Sequence, residues 1–426
     1  MSQPNSAPQA RKNSWQPTPR PEWVQRLNEE GRWLDIKSVV PLDSASLLEA
    51  AKRSTGLSNF GDDGWREPFE VFVKSLEEDA ALNLTGRIMS RTELLVWLEL
   101  RLRVEEEYRL HPEIADEQIE KPLLIIGQGR SGTSALQNLL SADPQNGTLL
   151  TWEALFPSPP PEPETYNTDP RIEKAHKLIT GWYRVTPELE AMHEFGGAIP
   201  TEGIHLQVSS FQMPTWMNLL GQVPSFNAYF AGKSFLPAIE WEKRVLRVLQ
   251  WKKPRRWVMK SPVLFNLPDV VKAYPDACLI WMHRDPLKSL ASAVNMVGTL
   301  FWQRSDEPFR SGALAASVDE NIVAAEFNQA IEWVQQGVIP LDRVLNLLYA
   351  EFIRDPMASA RRIYERFRIP LTPQSDAAMQ RHLTDHPREK RPAHRYADDP
   401  ATSEWAASAR RAFERYQHFF NVPNEI

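Results

Sequence analysis

One cysteine in 426 residues, Cys278, excludes an internal disulfide. Its setting in the apolar run ACLIWM reads as a buried structural thiol rather than a nucleophile. No apolar run approaches the roughly 20 residues that cross a bilayer. The opening MSQPNSAPQARKNSWQPTPRPEW has no hydrophobic signal core, so a cytoplasmic location with no integral membrane segment is expected. A basic excess is missing as well: the formal net charge is −6 and the pI near 5.9. Nothing therefore draws the whole molecule to nucleic acid or an anionic membrane, and any anion site must be built locally. The nine histidines are scattered, with no HExxH or paired His/Cys motif, so no metal is expected.

What is present is a globular composition, 42% hydrophobic and 24% charged, in a chain long enough for a sizeable core. Residues 1–22 are rich in Pro, Ser, Gln and Asn and read as a flexible arm. Residues 23–118 read as a helical extension, because Leu94, Leu95, Leu98 and Leu102 recur on one face of TELLVWLELRLRVEEEYRL. From 119 to 426 the period changes. KPLLIIG, RWVMKSP, ACLIWMHR and RVLNLLYAEF are strand-like runs separated by helix-length segments, and FPSPPPEPETYNTDP is a proline-broken surface excursion. That alternation predicts an α/β domain with a P-loop-like central parallel sheet flanked by helices. SEWAASARRAFERYQHFF reads as an amphipathic packing helix.

The stretch PLLIIGQGRSGTSALQNLLSADP, residues 122–144, carries the first chemical signal. Set against G-x-x-x-x-G-K-[ST], it gives Gly127, Gln128, Gly129, Arg130, Ser131 and Gly132, then Thr133 where the lysine belongs, then Ser134. Glycines let backbone N–H groups wrap an oxyanion, and the following helix directs its positive end at the same place. The ammonium that reaches a nucleoside triphosphate's terminal phosphates is missing, while Arg130 offers a cation from within the loop. The expected ligand is a shorter 5′-anion than ATP. A second set lies in MKSPVLFNLPDVVKAYPDACLIWMHRDPLKSLAS: Lys260 after one strand, Arg284 at the end of the next, and Ser292 almost two turns into a helix beginning after Pro286. The planar fork of Arg284 suits a phosphate, and the Ser292 hydroxyl could join it.

GQGRSGTSAL, MKSP and HRDPLKSLAS, in this order, resemble the sulfotransferase superfamily, and are similar to its bacterial branch near the tyrosylprotein sulfotransferases. YAEFIRDP and HPREKRPAHRY look like further landmarks. The resemblance implies the donor 3′-phosphoadenosine 5′-phosphosulfate and a reaction without metal. It implies that Arg130, Ser131, Gly132, Thr133 and Ser134 hold the 5′-phosphosulfate, that Arg284 and Ser292 hold the 3′-phosphate, and that Lys260 and Arg130 stabilise charge during transfer. The R-K-G motif of many family members has no match here, and Arg388, Lys390 and Arg395 are the candidates to replace it.

Transfer to an alcohol needs a base. Glu153, in LLTWEALFPSPPPE, matches the region where related enzymes carry a catalytic glutamate; Glu202, His193 and His205 are the other candidates. For VSSFQMPTWMNLLGQVPSFNAYF two readings stand: a core helix, or an apolar channel for a small lipid, steroid or aromatic alcohol. Two other functions fit the same motifs, a P-loop kinase-like phosphotransferase needing Mg²⁺ and ATP, and a non-catalytic nucleotide-binding protein. Composition is silent on oligomeric state.

Overall fold

The run Leu123–Gly127 forms β1, buried along its whole length as its continuous apolar sequence requires. The structure is a computed structural model that describes residues 17–261, 264–307, 319–387 and 404–425, without the side chains at 291, 292, 294, 404 and 405. Four more strands join β1: β2 (Asn146–Thr148), β3 (Arg256–Ser261), β4 (Cys278–His283) and β5 (Val344–Leu348). They make one parallel sheet in the order β2-β3-β1-β4-β5. The parallel α/β sheet expected from the alternation is therefore present. The edge strand β2 was not foreseen, because Asn-Gly-Thr carries no apolar side chain to mark it.

Each face of the sheet is covered. Leu124, Ile126, Trp257, Met259, Leu279 and Trp281 pack on one side with the helices Leu236–Gln250, Glu320–Gln335 and Glu404–Phe420. Leu123, Ile125, Val258, Ile280 and Met282 pack on the other with Thr133–Ser141, Pro356–Arg366 and Pro373–Asp385. The run from 343 to 352 is strand only to Leu348; Tyr349–Arg354 is a helix.

Before β1 the described residues are mainly helical, and the longest helix among them is Leu84–Leu110. Leu94, Leu98 and Leu102 are fully buried on the face that their spacing predicts. They share a core with Trp65, Phe69 and Phe72 from earlier helices and with Phe211, Met217 and Phe226 from the aromatic-rich stretch. The described residues before Trp23 are tied down through Arg20, whose guanidinium donates to the carbonyls of Trp302 and Ser305. Because all strands run one way, their C-terminal ends share one edge. β1 lies where the order reverses, with β3 on one side and β4 on the other, and such a reversal opens a crevice above the sheet.

Candidate functional site

The loop after β1 turns sharply at two glycines that tolerate no side chain. Gly127 has φ +134°, and a Cβ there would meet the Met282 carbonyl on β4. Gly132 has φ +90°, and its Cβ would lie 2.7 Å from the Tyr349 ring. Arg130 adopts φ +72°, a strained conformation for a residue with a side chain. Ser131 is fully buried, and its hydroxyl donates to the Gln128 carbonyl at 2.6 Å, closing the loop upon itself. Thr133–Ser141 follows, and the N–H groups of its first turn have no partner within the helix by geometry. The loop thus leads from the C-terminal end of β1 into a helix N-terminus.

The cation missing from the loop arrives from the neighbouring strand. Lys260 pairs across the sheet with Ile125, which brings its side chain level with the start of the loop. Its Nζ donates to Ser134 Oγ at 2.7 Å and stands 2.7 Å from Glu202 Oε1. Residues around Glu202 are held on two sides: Thr201 N–H donates to the Leu149 carbonyl at 2.8 Å, and Gly203 N–H to the Lys260 carbonyl at 3.2 Å. Burial pushes the Glu202 carboxyl up, but the charge and hydrogen bond of Lys260, together with the nearby His205 and His193, bring the group below its ordinary value. Both nearby histidines are neutral at physiological pH. Burial, reinforced by the Lys260 charge, lowers His193 to about 4. Burial also lowers His205 to about 4, against the pull of Glu202.

Arg284 follows β4 directly and reaches the loop from the opposite side. Its Nη1 donates to the Arg130 carbonyl at 2.8 Å, and its guanidinium lies 4.0 Å over the Tyr349 ring. Its remaining edge meets the Glu425 carboxylate, with Nε 3.0 Å from Oε1 and Nη2 2.9 Å from Oε2. No sequence pattern marks Glu425 or Tyr349 as partners of Arg284. Ser292 lies on the helix Pro286–Trp302, with its side chain outside the described residues, as are Arg388, Lys390 and Arg395. Arg130 extends toward the Met192 carbonyl, at 3.2 Å from Nη1, in the segment that also carries His193.

Glu153 stands apart from this group. It is fully buried, its Oε1 lies 2.9 Å from Arg255, and its Oε2 accepts the Leu150 N–H at 3.0 Å. Both oxygens are thus engaged, one in a buried ion pair and one in a helix cap. The helix Thr151–Leu155 runs beside residues 197–199, through bonds from Thr151 and Trp152 N–H groups, but the side chain turns toward Arg255. Sequence proximity could not reveal that direction. Much of the aromatic stretch is core: Phe211, Met213, Met217 and Phe226 are fully buried. Trp216 belongs to the same core and also packs 4.3 Å from His205 and stacks on Trp182, which in turn meets Phe195. Among the described residues no group of histidine, cysteine or carboxylate side chains could hold a metal ion, and no helix is long and apolar enough to cross a membrane.

A family model described as "Sulfotransferase family" matches residues 122–373, which include the loop, Lys260, Glu202 and Arg284. The crystal structure of sulfotransferase STF9 from Mycobacterium avium is similar at 26% identity and a TM-score of 0.73, over 90% of this chain and 98% of that one. Sulfotransferase STF1 from Mycobacterium tuberculosis H37Rv shares the fold at 24% identity and a TM-score of 0.71, over 88% of this chain and 98% of that one. No curated protein matches.

Proposed function

This chain belongs to the sulfotransferase family, and from that premise we propose that it moves a sulfuryl group from 3′-phosphoadenosine 5′-phosphosulfate to the hydroxyl of a small-molecule acceptor, with Glu202 as the base. The observation that carries the reading is Lys260, bound at once to the phosphate loop through Ser134 and to Glu202 at 2.7 Å each. One ammonium thereby joins the place for the leaving phosphate to the place for the attacking hydroxyl. The donor supplies a sulfuryl group on a 5′-phosphate, and that phosphate is its leaving group. The loop N–H groups, Arg130, Thr133 and Ser134 hold the phosphosulfate, while Ser131 and Gly132 keep the loop in shape. Arg284, with Ser292 beside it, holds the 3′-phosphate through its fork.

Glu202 accepts the acceptor's proton as its oxygen attacks sulfur, and Lys260 offsets the charge left on the departing phosphate oxygen. The two roles are coupled. Lys260 opposes the burial that pushes this carboxyl up, so drawing the ammonium toward the phosphate strengthens Glu202 as a base. Glu153, with both oxygens occupied, does not take that role. Trp182, Trp216 and Phe195, with neutral His193 packed on Phe195 and neutral His205 on Trp216, support an apolar or aromatic alcohol as acceptor. Calorimetry tests the donor assignment. Arg284→Ala should weaken adenosine 3′,5′-bisphosphate by roughly 1.5–3 kcal/mol, the worth of a charge-assisted contact, and leave adenosine 5′-monophosphate nearly unchanged. Equal weakening of both would refute it.

A further inference from the structure

The Arg284–Glu425 pair has the form of a ligand contact made by the chain itself. Nε and Nη2 of the guanidinium meet the two carboxylate oxygens in parallel, at 3.0 and 2.9 Å. This is the fork geometry in which arginine binds phosphate. The guanidinium is fixed independently by Tyr349 beneath it and by the Arg130 carbonyl at Nη1, so it keeps its place whichever anion meets that edge.

Glu425 is delivered to this position by a clamped turn. Its N–H donates to Asp285 Oδ2 at 2.7 Å, and Asp285, fully buried, is held by Arg410 at 2.9 Å. Arg410 also donates to Asn424 Oδ1 at 2.7 Å, Gln417 donates to the same oxygen at 2.8 Å, and Val422 is buried in the core. The side chains of Arg284 and Glu425 nevertheless remain 18% and 23% exposed, so an incoming anion can reach the pair.

We infer that Glu425 is a specificity-determining residue of the donor site: its carboxylate stands in for the 3′-phosphate on Arg284 and must be exchanged for it whenever donor or product binds. The inference rests on the donor reading above. A phosphate carrying nearly two charges competes well for the fork against a carboxylate carrying one, but the carboxylate is tethered and is present at high effective concentration. Glu425 therefore loosens the hold on 3′-phosphorylated nucleotides alone, and speeds release of the bisphosphate product. A nucleotide with no 3′-phosphate leaves the pair closed and pays nothing for it.

Calorimetric titration of wild type, Glu425→Gln, Arg284→Ala and the double variant, each with adenosine 3′,5′-bisphosphate and adenosine 5′-monophosphate, separates the outcomes. Glu425→Gln should tighten the bisphosphate about fivefold, the upper worth of a partly exposed ion pair, and leave the monophosphate unchanged. In the Arg284→Ala background the Glu425 change should have no effect. If Arg284→Ala weakens the bisphosphate selectively while Glu425→Gln alters neither nucleotide, or tightens both alike, the role of Glu425 is overturned and the donor reading stands. If Arg284→Ala weakens both nucleotides equally, the donor reading fails and the inference falls with it. Retained monophosphate binding shows that each variant is folded.

Discussion

Lys260 Nζ lies 2.7 Å from the Glu202 carboxylate, and the same ammonium bonds the hydroxyl of Ser134 in the first turn of the helix after the glycine loop. Lys260 enters from β3, one strand over from β1, so the sheet register rather than the loop sequence sets its reach. This placement explains how a loop with threonine in the lysine position still receives a cation.

Glu202→Gln keeps the side chain's size but cannot take up a proton. Turnover should fall about 10²–10⁴-fold, as for loss of a general base, with adenosine 3′,5′-bisphosphate binding preserved. Glu153→Gln should do the reverse. It breaks a fully buried ion pair with Arg255, at a cost of about 3–5 kcal/mol in stability. Steady-state rates below the melting transition, beside thermal unfolding of both variants, check the division. A rate loss confined to Glu153→Gln would move the base back to that residue.

Gly132→Ala adds one methyl group where φ is +90° and where the Tyr349 ring lies 2.7 Å from the new Cβ. The loop, the ring and Arg284 above the ring must all shift. Binding of the bisphosphate should weaken at least tenfold, since misplaced donors lose their alignment with an anion. Gly129→Ala, where a Cβ meets open space, serves as the control and should bind nearly as wild type does. Titration calorimetry compares them.

Stability should fall on mild acidification. His283 is buried between the Tyr416 hydroxyl at Nδ1 and Asn346 Oδ1 at Nε2, partners that suit the neutral ring, and burial lowers it to about 4. The unfolded chain takes up this proton near pH 6.5 and the folded chain only near 4. The contribution is therefore complete above pH 6.5 and is lost as pH falls through that window, on the order of 3 kcal/mol in all. His193 and His205 act with the same sign. Melting temperatures measured from pH 7.5 to 4.5 should decline; His283→Gln should flatten the decline, and an unchanged slope would contradict the assignment.

Much of this architecture was legible because strand burial leaves a simple trace. LLIIG, WVMK and LIWMH are continuous apolar runs, and each became a strand of the parallel sheet. β2 left no such trace, since Asn146 and Gly147 pair at the edge through backbone groups that any residue has. The loop glycines were readable for the same kind of reason, as the turn demands them. Side-chain direction was not readable. Glu153 and Glu202 belong to segments that run side by side, yet one carboxylate turns to Arg255 and the other to Lys260. Met217 and Trp216 are adjacent in an aromatic run and belong to the same core, yet it is the Trp216 ring that also packs on His205. Only the tertiary fold separates such neighbours. Glu425 reaches Arg284 across a sequence separation of 141 residues, and nothing local to either residue marks the pairing.

Product analysis distinguishes sulfuryl transfer with Glu202 as base from its alternatives. The protein is incubated with 3′-phosphoadenosine 5′-phosphosulfate and a panel of small alcohols, in the presence of a chelator, and the mixture is resolved by mass spectrometry. The expected result is a sulfate ester formed in equal amount with adenosine 3′,5′-bisphosphate, without added metal, and suppressed at least a hundredfold in Glu202→Gln. Bisphosphate binding with no ester from any alcohol, or phosphorylation of an alcohol from ATP and Mg²⁺ in its place, would contradict the account.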